Sequence, residues 1–406
     1  MRVEGYVHAG GRHAATVALR NLLTHAGVVA PHTGEPPSEP LVFGVAGGVG
    51  AGYSFCPSVV RYGGGAGIWV VGRHKAYVTG ADWYRAACDR LGVTTRVTET
   101  GGPGKAFENL AAELRAGRPT VVWVSKARLP FLGCPANACD LWMHEFVVFA
   151  LDESTGIAHG SDRSAMPVTI SLDDLAAARR GVCSHKNRTL TIDPPGQLTL
   201  PRLRDAVLAG LRACAAELLS PKIKTFGLPG LDLLTQRIAN GKHKDGWPVV
   251  FAERFLFDAL CDVFMSVETN GSGGGLFRPL FADTLAEAAA VTGRPRLAEL
   301  AGVYRELGKR WTDLADAALS DRVPAFKKAE AALRKRDKLL AEKGQKADAQ
   351  IAAANATLAG LGVEVRKQFP LDAAGTAAHL DGLRERLISL YRDEVATAEA
   401  LKKAVA

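Results

Sequence analysis

Short apolar runs rich in β-branched residues recur through the first half of the chain, separated by amphipathic stretches. Over residues 41–193 the runs LVFGVAGG, GIWVVG, PTVVWVS, EFVVFAL and RTLTID have the length and composition of strands of one sheet. The intervening stretches ADWYRAACDRLG and AFENLAAELRAG carry apolar residues at helical spacing and end at Gly92 and Gly117, as helices with a left-handed glycine cap do. This pattern predicts a domain in which helices pack on a sheet.

The second half of the chain lacks the strand pattern. After the helix breakers of residues 193–196, alanine, leucine and charged residues dominate, with apolar positions at helical spacing. We therefore predict an α+β fold with two domains: residues 1–195 with a mixed or antiparallel sheet, and residues 196–406 built of helices alone. Within the second domain, a long charged helical hairpin is expected at about residues 325–400, with its tip within residues 343–371.

Composition narrows the class of protein. The chain has 406 residues, 47% of them hydrophobic and 23% charged, with a formal net charge of +8, which excludes a disordered chain, a coiled-coil rod and a small disulfide scaffold. No apolar run reaches the roughly 18 residues of a membrane span. The N-terminus lacks the basic flank and apolar core of a signal peptide, so we expect a cytoplasmic protein that binds no membrane.

The positive charge is concentrated in residues 327–346. Acids and alanines are interleaved with the lysines there at helical spacing, and no aromatic residue follows Phe326 in this stretch to stack on a base. A solvated helix face is therefore favoured over a nucleic-acid patch, and docking of an acidic protein partner is the second interpretation.

Patterns for metals and nucleotides are incomplete in this chain. Seven widely spaced cysteines predict free thiols. Cys134 and Cys139 could supply two zinc ligands, but their spacing is looser than in a zinc knuckle and no second pair follows, so no metal site is predicted.

Two glycine-rich segments, GVAGGVGAGY and NGSGGGLFRPL, fit neither the dinucleotide-binding pattern nor the phosphate-binding loop with its lysine. We interpret the first as a close backbone approach to an acyl chain or a strand, and the second as a flexible loop in which Arg278 is a candidate anion contact.

The N-terminal segment GYVHAGGRHAATVALRNLLTHAG combines a glycine-rich loop with a helix that ends at Gly27. The apolar stripe of this helix consists of Val17, Ala18, Leu19, Leu22 and Leu23. Ala14 therefore falls in the first turn, where the positive end of the helix dipole and the first-turn amides would lower the pKa of a thiol and hold an oxyanion. Alanine itself has no nucleophilic atom, and the residues alone favour an ordinary buried helix start.

The run GGRHAATVALRNLL resembles the opening motif of the butirosin biosynthesis protein H family, whose members resemble bacteriocin-processing cysteine peptidases of the papain superfamily. That motif reads Gly-Arg/Lys-His-Cys and continues into a Thr/Ala-Leu-Arg helix, and Ala14 occupies its cysteine position. Further segments similar to the family are LVFGVAGGVGAGY, GRPTVVWVSKARLPFL, HEFVVFALDE and GSDRSAMPVTISLDDLAAAR. KTFGLPGLDLLTQRI and SVETNGSGGGLFRPLFADTLAEAA are similar to its usual companion domain, so the resemblance reaches about residue 320.

The resemblance implies a papain-like domain with a Cys-His-Asp triad: Ala14 at the nucleophile position, His144 as general base and Asp162 as the carboxylate that orients it. Two adjacent strands, one starting at His144 and the next beginning near Asp162, would place the imidazole beside the carboxylate. His8 stands where related peptidases carry an oxyanion-stabilising amide. The ordinary alternatives are a structural histidine for His144, a turn residue for Asp162 and a loop-fixing residue for His13.

Further residues are assigned to the loop, the rim and the pocket of this expected site. The loop before the nucleophile position contains Gly11 and His13. The predicted substrate-binding residues are Gly47, Gly48, Tyr53 and Trp142. The candidate rim contacts are Arg12, Arg73, Lys126 and Arg128. An acyl pocket could be lined by apolar residues for which core packing is the favoured interpretation: Phe131, Leu132, Trp142 and Met143.

An alanine at the nucleophile position has two explanations, a deliberate change of cysteine to alanine or natural loss of the thiol. Retention of His144, Asp162 and the loop glycines favours a single deliberate substitution, because a long-inactive homologue would be free to lose these residues too. The expected chemistry is therefore that of a form with a cysteine at position 14.

The function implied by the resemblance is acyl transfer in natural-product biosynthesis of the antibiotic type. An acyl or aminoacyl group would pass from the phosphopantetheine thioester of a carrier protein to a cysteine at position 14, and then to an amine of a small-molecule acceptor. The expected partners are an acidic acyl or peptidyl carrier protein and that acceptor, with no cofactor on the enzyme itself, and a homodimer stays open. The alternatives are a peptidase, amidase or thioester hydrolase of the same fold, and a non-catalytic binding protein.

Overall fold

Two compact units make up the protein in the computed structural model. It describes residues 1–57, 59, 66–75, 81–132, 143–194, 196–251 and 255–406, apart from the side chain of Cys183. The first unit contains Met1–Ala46, Val78–Val207 and Lys338–Asn355, and the second contains Gly47–Tyr77, Leu208–Asp337 and Ala356–Ala406. Each unit thus draws on both halves of the chain, and a domain boundary at residue 195 stays a prediction.

An antiparallel sheet forms the centre of the first unit. The strands of the protein, in chain order, are β1 (Tyr53–Phe55), β2 (Ile68–Val70), β3 (Thr95–Thr98), β4 (Thr120–Ser125), β5 (Met143–Asp152), β6 (Ile157–Ser161), β7 (Val168–Ser171) and β8 (Thr189–Ile192). Six of them pair in the order β3-β8-β4-β5-β6-β7, with every neighbouring pair antiparallel. Every residue of β4 is buried, because this strand lies inside the sheet and its TVVWVS run has no outward polar face.

Helices account for most of the remaining elements. They are α1 (Ala14–His25), α2 (Glu39–Val45), α3 (Ala81–Leu91), α4 (Pro103–Arg115), α5 (Leu172–Arg180), α6 (Leu200–Leu219), α7 (Gly227–Arg237), α8 (Trp247–Val250), α9 (Leu256–Phe264), α10 (Arg278–Thr292), α11 (Pro295–Ala318), α12 (Pro324–Glu342), α13 (Asp348–Lys367) and α14 (Ala373–Ala404). The predicted helix ends at Gly27, Gly92 and Gly117 are confirmed, since these glycines have φ of 76°, 76° and 73°. Together with the antiparallel sheet, these helices confirm the α+β class.

One predicted strand is wrong. The apolar part of LVFGVAGG forms helix α2, because Ser38 caps that helix by accepting the Leu41 N–H at 3.0 Å and Pro40 occupies its first turn. The run GIWVVG does form a strand, but β2 pairs with β1 in a separate two-stranded sheet of the second unit. An apolar run of this length fits a helix or a strand, and the local cap decides between them.

The glycine-rich loop of the second unit allows close packing. Gly47 and Gly48 have φ of 114° and 65°. A Cβ on Gly47 would lie 2.2 Å from Cδ2 of His74, and one on Gly48 would lie 2.4 Å from Cε2 of Phe281. Glycine at these positions therefore permits a close approach of the backbone to two protein side chains, whereas the sequence predicted an approach to an acyl chain or a strand.

Arg278 is buried in the second unit. Its Nε donates to Glu394 Oε1 at 2.8 Å, and Trp311 Nε1 donates to the same oxygen at 2.7 Å. Its Nη1 donates to the Leu276 carbonyl at 2.8 Å. The expectation that Arg278 contacts an external anion is wrong, because the guanidinium is fully buried and already paired with a carboxylate.

The charged C-terminal region consists of three helices. After α12, the 3₁₀ turn Gly344–Ala347 leads into α13, and residues 368–372 lead into α14. Gly360 and Gly362, which lie in the stretch where the hairpin tip was expected, are inside α13. Among the helices of the described residues, none combines the length and the apolar composition needed to cross a bilayer.

Candidate active site

His144 and Asp162 are hydrogen-bonded to each other. His144 is the second residue of β5, and Asp162 directly follows β6, so the antiparallel pairing of these strands brings the start of one beside the end of the other. His144 Nε2 lies 3.0 Å from Asp162 Oδ2, and the two side chains are 11% and 3% exposed. The predicted pairing is therefore present, although Asp162 stands at the end of its strand and the sequence suggested its start.

The electrostatics of this pair define which ring nitrogen is basic. Burial raises the pKa of the Asp162 carboxyl, but the attraction and hydrogen bond of His144, together with Arg163, outweigh burial and hold that pKa below its usual value. An ionised Asp162 accepts the proton on Nε2, which leaves Nδ1 as the basic nitrogen of a neutral ring. Nδ1 makes no hydrogen bond to any residue that the structure describes. The ring thus has the tautomer of a general base whose target would face Nδ1.

Ala14 is the first residue of helix α1 and is partly exposed. The loop before it lies against the segment that follows Asp162, because the Gly11 N–H donates to the Arg163 carbonyl at 2.9 Å. Helix α1 itself packs against β5, the strand of His144. These contacts connect the region of position 14 to the segment that follows Asp162 and to β5, the strand that carries His144.

Two side chains of α1 hold the loop in place. Arg20 Nη2 donates to the carbonyls of Ala9 and Gly10 at 2.6 and 2.8 Å. Asn21 Nδ2 donates to the Ala9 carbonyl at 3.0 Å and to Ser161 Oγ at 2.8 Å. Arg20 and Asn21, which belong to the LRN part of the motif, therefore fix the backbone of the glycine-rich loop before position 14. The sequence analysis missed this role, and the presence of both residues in the quoted motif is the signal that could have revealed it.

His8 belongs to the same network. Its Nε2 donates to the Ser164 carbonyl at 3.0 Å, so its Nδ1 is the acceptor for Ser161 Oγ at 2.6 Å. Burial lowers the pKa of His8, which favours this neutral ring. The oxyanion role of His8 stays a prediction, and it requires the ring to release Ser164.

The backbone amides around position 14 divide into two groups. Glu39 Oε1 accepts the N–H groups of Arg12 and His13, both at 2.9 Å. His13 Nδ1 in turn accepts the Thr16 N–H at 3.3 Å and caps the helix, which supports a loop-fixing role for this histidine. In the described part of the chain, the amides of residues 14–15 have no hydrogen-bond partner. These two amides are therefore the ones left to stabilise an oxyanion.

The turn between α12 and α13, which belongs to the first unit, closes one flank of Asp162. The side-chain amide of Gln345 pairs with the backbone N–H and carbonyl of Thr169 in β7, both at 2.7 Å, and the Ala165 N–H donates to the Ala341 carbonyl at 2.7 Å. A cavity of about 10 Å³ lies between this turn and Asp162. That volume holds only about one water molecule.

Other predicted site residues lie elsewhere in the chain. Gly47, Gly48 and Tyr53 belong to the second unit, where Tyr53 Oη accepts the Trp247 Nε1–H at 3.1 Å and burial raises the Tyr53 pKa to about 12. Trp142 lies outside the described residues. Substrate contacts at these four positions stay predictions.

The remaining candidate contacts divide between the two units. Arg12, Lys126 and Arg128 lie in the first unit, and Arg73 lies in the second. The residues that the structure describes bring together no group of three histidine, cysteine or acidic side chains that could hold a metal ion. Cys134 and Cys139 are outside those residues.

A Gly10→Ala substitution is expected to destabilise the protein by roughly 1–3 kcal/mol, because strain of this size follows when a tightly packed site receives an extra methyl group. The added Cβ would lie 2.3 Å from the Ser164 carbonyl oxygen. Gly104→Ala is the matched control, since a Cβ at Gly104 in helix α4 meets nothing within 4 Å and alanine favours the helix. Chemical denaturation should give a lower midpoint for the Gly10 variant alone, and equal midpoints would contradict the tight loop contact.

Two family models match parts of the chain. Residues 13–163 match the family model described as Butirosin biosynthesis protein H, N-terminal. Residues 172–347 match a second model, described as Domain of unknown function (DUF4872). No curated protein matches the chain. The first match spans Ala14, His144 and Asp162, and it supports the resemblance of residues 13–163 to butirosin biosynthesis protein H.

Proposed function

We propose that this protein, with a cysteine at position 14, is an acyltransferase of antibiotic-type natural-product biosynthesis. It takes an acyl or aminoacyl group from the phosphopantetheine thioester of a carrier protein and passes it to an amine of a small molecule. The observation that carries this proposal is the His144–Asp162 pair, whose Nδ1 is unbonded to the described residues. The partly exposed start of α1 at position 14 follows a loop that is hydrogen-bonded to Arg163, and α1 packs against the strand of His144. The match of residues 13–163 to a butirosin biosynthesis family adds the reaction class.

The first half-reaction loads the enzyme. His144 Nδ1 takes the proton of the thiol, and the thiolate attacks the carbonyl carbon of the carrier thioester. The amides of residues 14–15 stabilise the oxyanion that forms. When the intermediate collapses, the bond from carbon to the carrier's sulfur breaks, and His144 returns the proton to that sulfur. The acyl group then remains as a thioester at position 14.

The second half-reaction transfers the acyl group from the enzyme to the acceptor. The acceptor amine attacks the same carbonyl carbon while His144 Nδ1 takes one amine proton, and the thiol leaves with that proton as the amide forms. Asp162 holds the ring through Nε2 in both steps and stabilises the transient imidazolium. The carrier protein is the expected macromolecular partner because carrier proteins are acidic and this chain has a net charge of +8.

A second candidate is a non-catalytic binding protein, which Ala14 itself favours. An alanine side chain cannot form a thioester, so the chain as it stands cannot carry out the covalent steps above. In this interpretation the same site binds a carrier protein or its acyl group without turnover.

The fate of the acyl group distinguishes these functions from each other. The Ala14→Cys form is mixed with an acyl-loaded carrier protein and a panel of small amines, and the amide and the free acid are quantified by mass spectrometry. A transferase should give mainly amide, in an amount that depends on the amine. Free acid at the same rate with and without amine would identify a hydrolase. Carrier binding without any product would favour the binding protein, and the unchanged chain is the control.

A further inference from the structure

We infer that Glu39 is a positioning residue. It fixes the backbone of the loop just before position 14, and its charge disfavours the ionised form of a thiol at that position. The inference rests on the proposed function only in placing a thiol at that position. Nothing in the glycine-rich motif itself points to Glu39, which lies 26 residues beyond His13 along the chain. Its role follows from contacts that the fold creates.

Both carboxylate oxygens of Glu39 contact the loop. Oε1 accepts the N–H groups of Arg12 and His13 at 2.9 Å each, and Oε2 accepts the Arg12 N–H at 3.1 Å. A Cβ on Gly11 would lie only 2.6 Å from Oε2, so a glycine at this place lets the backbone come close to the carboxylate. Hydrogen bonds from consecutive amides to an ionised carboxylate are of the strong, charge-assisted kind. Glu39 therefore fixes the backbone immediately before position 14.

The side chain of Glu39 is held rigidly and away from water. Glu39 is the first residue of α2, which Ser38 caps, and it is 8% exposed. Helices α1 and α2 pack against each other. Screening of its charge is weak at such burial, so the charge acts on its surroundings over several ångströms.

That charge opposes the usual activation of a thiol at a helix start. The positive end of a helix dipole favours a thiolate, but Glu39 places a negative charge near this end of α1, where it accepts the N–H groups of Arg12 and His13 just before the helix. The thiol is therefore expected to stay protonated at rest and to lose its proton to His144 when a substrate is in place. Arg20 of α1 interacts electrostatically with Glu39. Other charged and titratable groups on the loop, on the elements packed here and on the segment after β6 include His8, Arg12, His13, His25, Asp82, Arg85, Cys88, Asp89, Arg90, His144, Glu145, Asp152, Asp162 and Arg163.

The test measures the pKa of the thiol at position 14 without carrier or acceptor. Iodoacetamide alkylation is followed against pH in the Ala14→Cys protein, and the rate is read on the peptide that contains position 14. Adding Glu39→Gln should lower that pKa by about one unit, the effect of removing one charge at short range in a partly buried site. Adding Glu39→Asp, whose charge is one methylene farther from the loop, should lower it by less. Glu108→Gln, an exposed glutamate of α4 that pairs with Lys105 at 3.3 Å, should leave it unchanged.

The outcomes separate this inference from the proposed function. An unchanged or higher pKa in the Glu39→Gln form, with circular dichroism showing a folded protein, would overturn the role of Glu39. If that form does not fold, the Glu39→Asp form decides in the same way. A lowered pKa in a protein that is never acylated by any carrier would support Glu39 and count against the acyltransferase.

Discussion

The Ala14→Cys protein will gain the mass of one acyl group when it is incubated with an acyl-loaded carrier protein, and the chain as it stands will gain none. The reason is that the change adds a thiol at the partly exposed start of α1, next to two amides without partners among the described residues, on a helix that packs against the strand of His144. Intact-mass spectrometry without acceptor amine measures this directly. Adding an amine should remove the extra mass.

The unchanged chain is a stringent control for this experiment. It keeps all seven cysteines of the sequence, so nonspecific acylation of the other thiols would appear in both proteins. Among the thiols that the structure describes, those of Cys88 and Cys214 are buried, and burial raises the pKa of Cys88 to about 12 and the pKa of Cys214 well above its usual range. Peptide mapping of the loaded protein should place the acyl group at position 14. No mass gain with a panel of carriers and acyl groups would contradict the covalent mechanism and favour a binding protein.

Local signals in the sequence were enough to predict helix α1, which begins at Ala14. The glycines before Ala14, the apolar stripe after it and Gly27 at its end are all close in the chain, and the structure has α1 in the predicted place with its closing glycine at φ of 76°. The pairing of His144 with Asp162 came from the family resemblance, since a single histidine and a single aspartate carry no spacing signal of their own. The hairpin of β5 and β6 then makes the pairing a direct result of strand register.

The parts that the sequence did not reveal depend on contacts between distant segments. Glu39 binds backbone amides 26 and 27 residues away, and a backbone amide has no residue type that a pattern could detect. The contact between Gln345 and Thr169 spans 176 residues. Helix α2 was mistaken for a strand because its short apolar run fits either structure, and the decisive hydrogen bond comes from Ser38 outside the run. The sequence, with the family resemblance, therefore indicated the candidate residues, and only the fold showed the contacts that hold them in place.

His144→Ala, made in the Ala14→Cys protein, should slow acyl loading about 10³-fold, within the range that general acid–base catalysis contributes. The loss is large because Nδ1 of His144 would both take the thiol proton and return it to the departing carrier. Asp162→Asn is expected to cost less than His144→Ala. The asparagine oxygen can still accept the proton of Nε2, which lies 3.0 Å from the Asp162 oxygen, although the charge that stabilises the imidazolium is lost. Single-turnover loading, followed by intact mass over time, gives both rates.

The relative size of the two losses in loading rate tests the roles of His144 and Asp162. His159→Ala is the matched control, because His159 lies in the neighbouring strand β6, where it packs near Phe149 and has no role in the proposed steps. Its loading rate should stay close to that of the parent. A His144 variant that loads as fast as the His159 variant would remove His144 from the mechanism. An Asp162→Asn variant as slow as His144→Ala would mean that the negative charge beside the ring matters more than the hydrogen bond, because the imidazolium formed on proton transfer then depends on that charge for its stability.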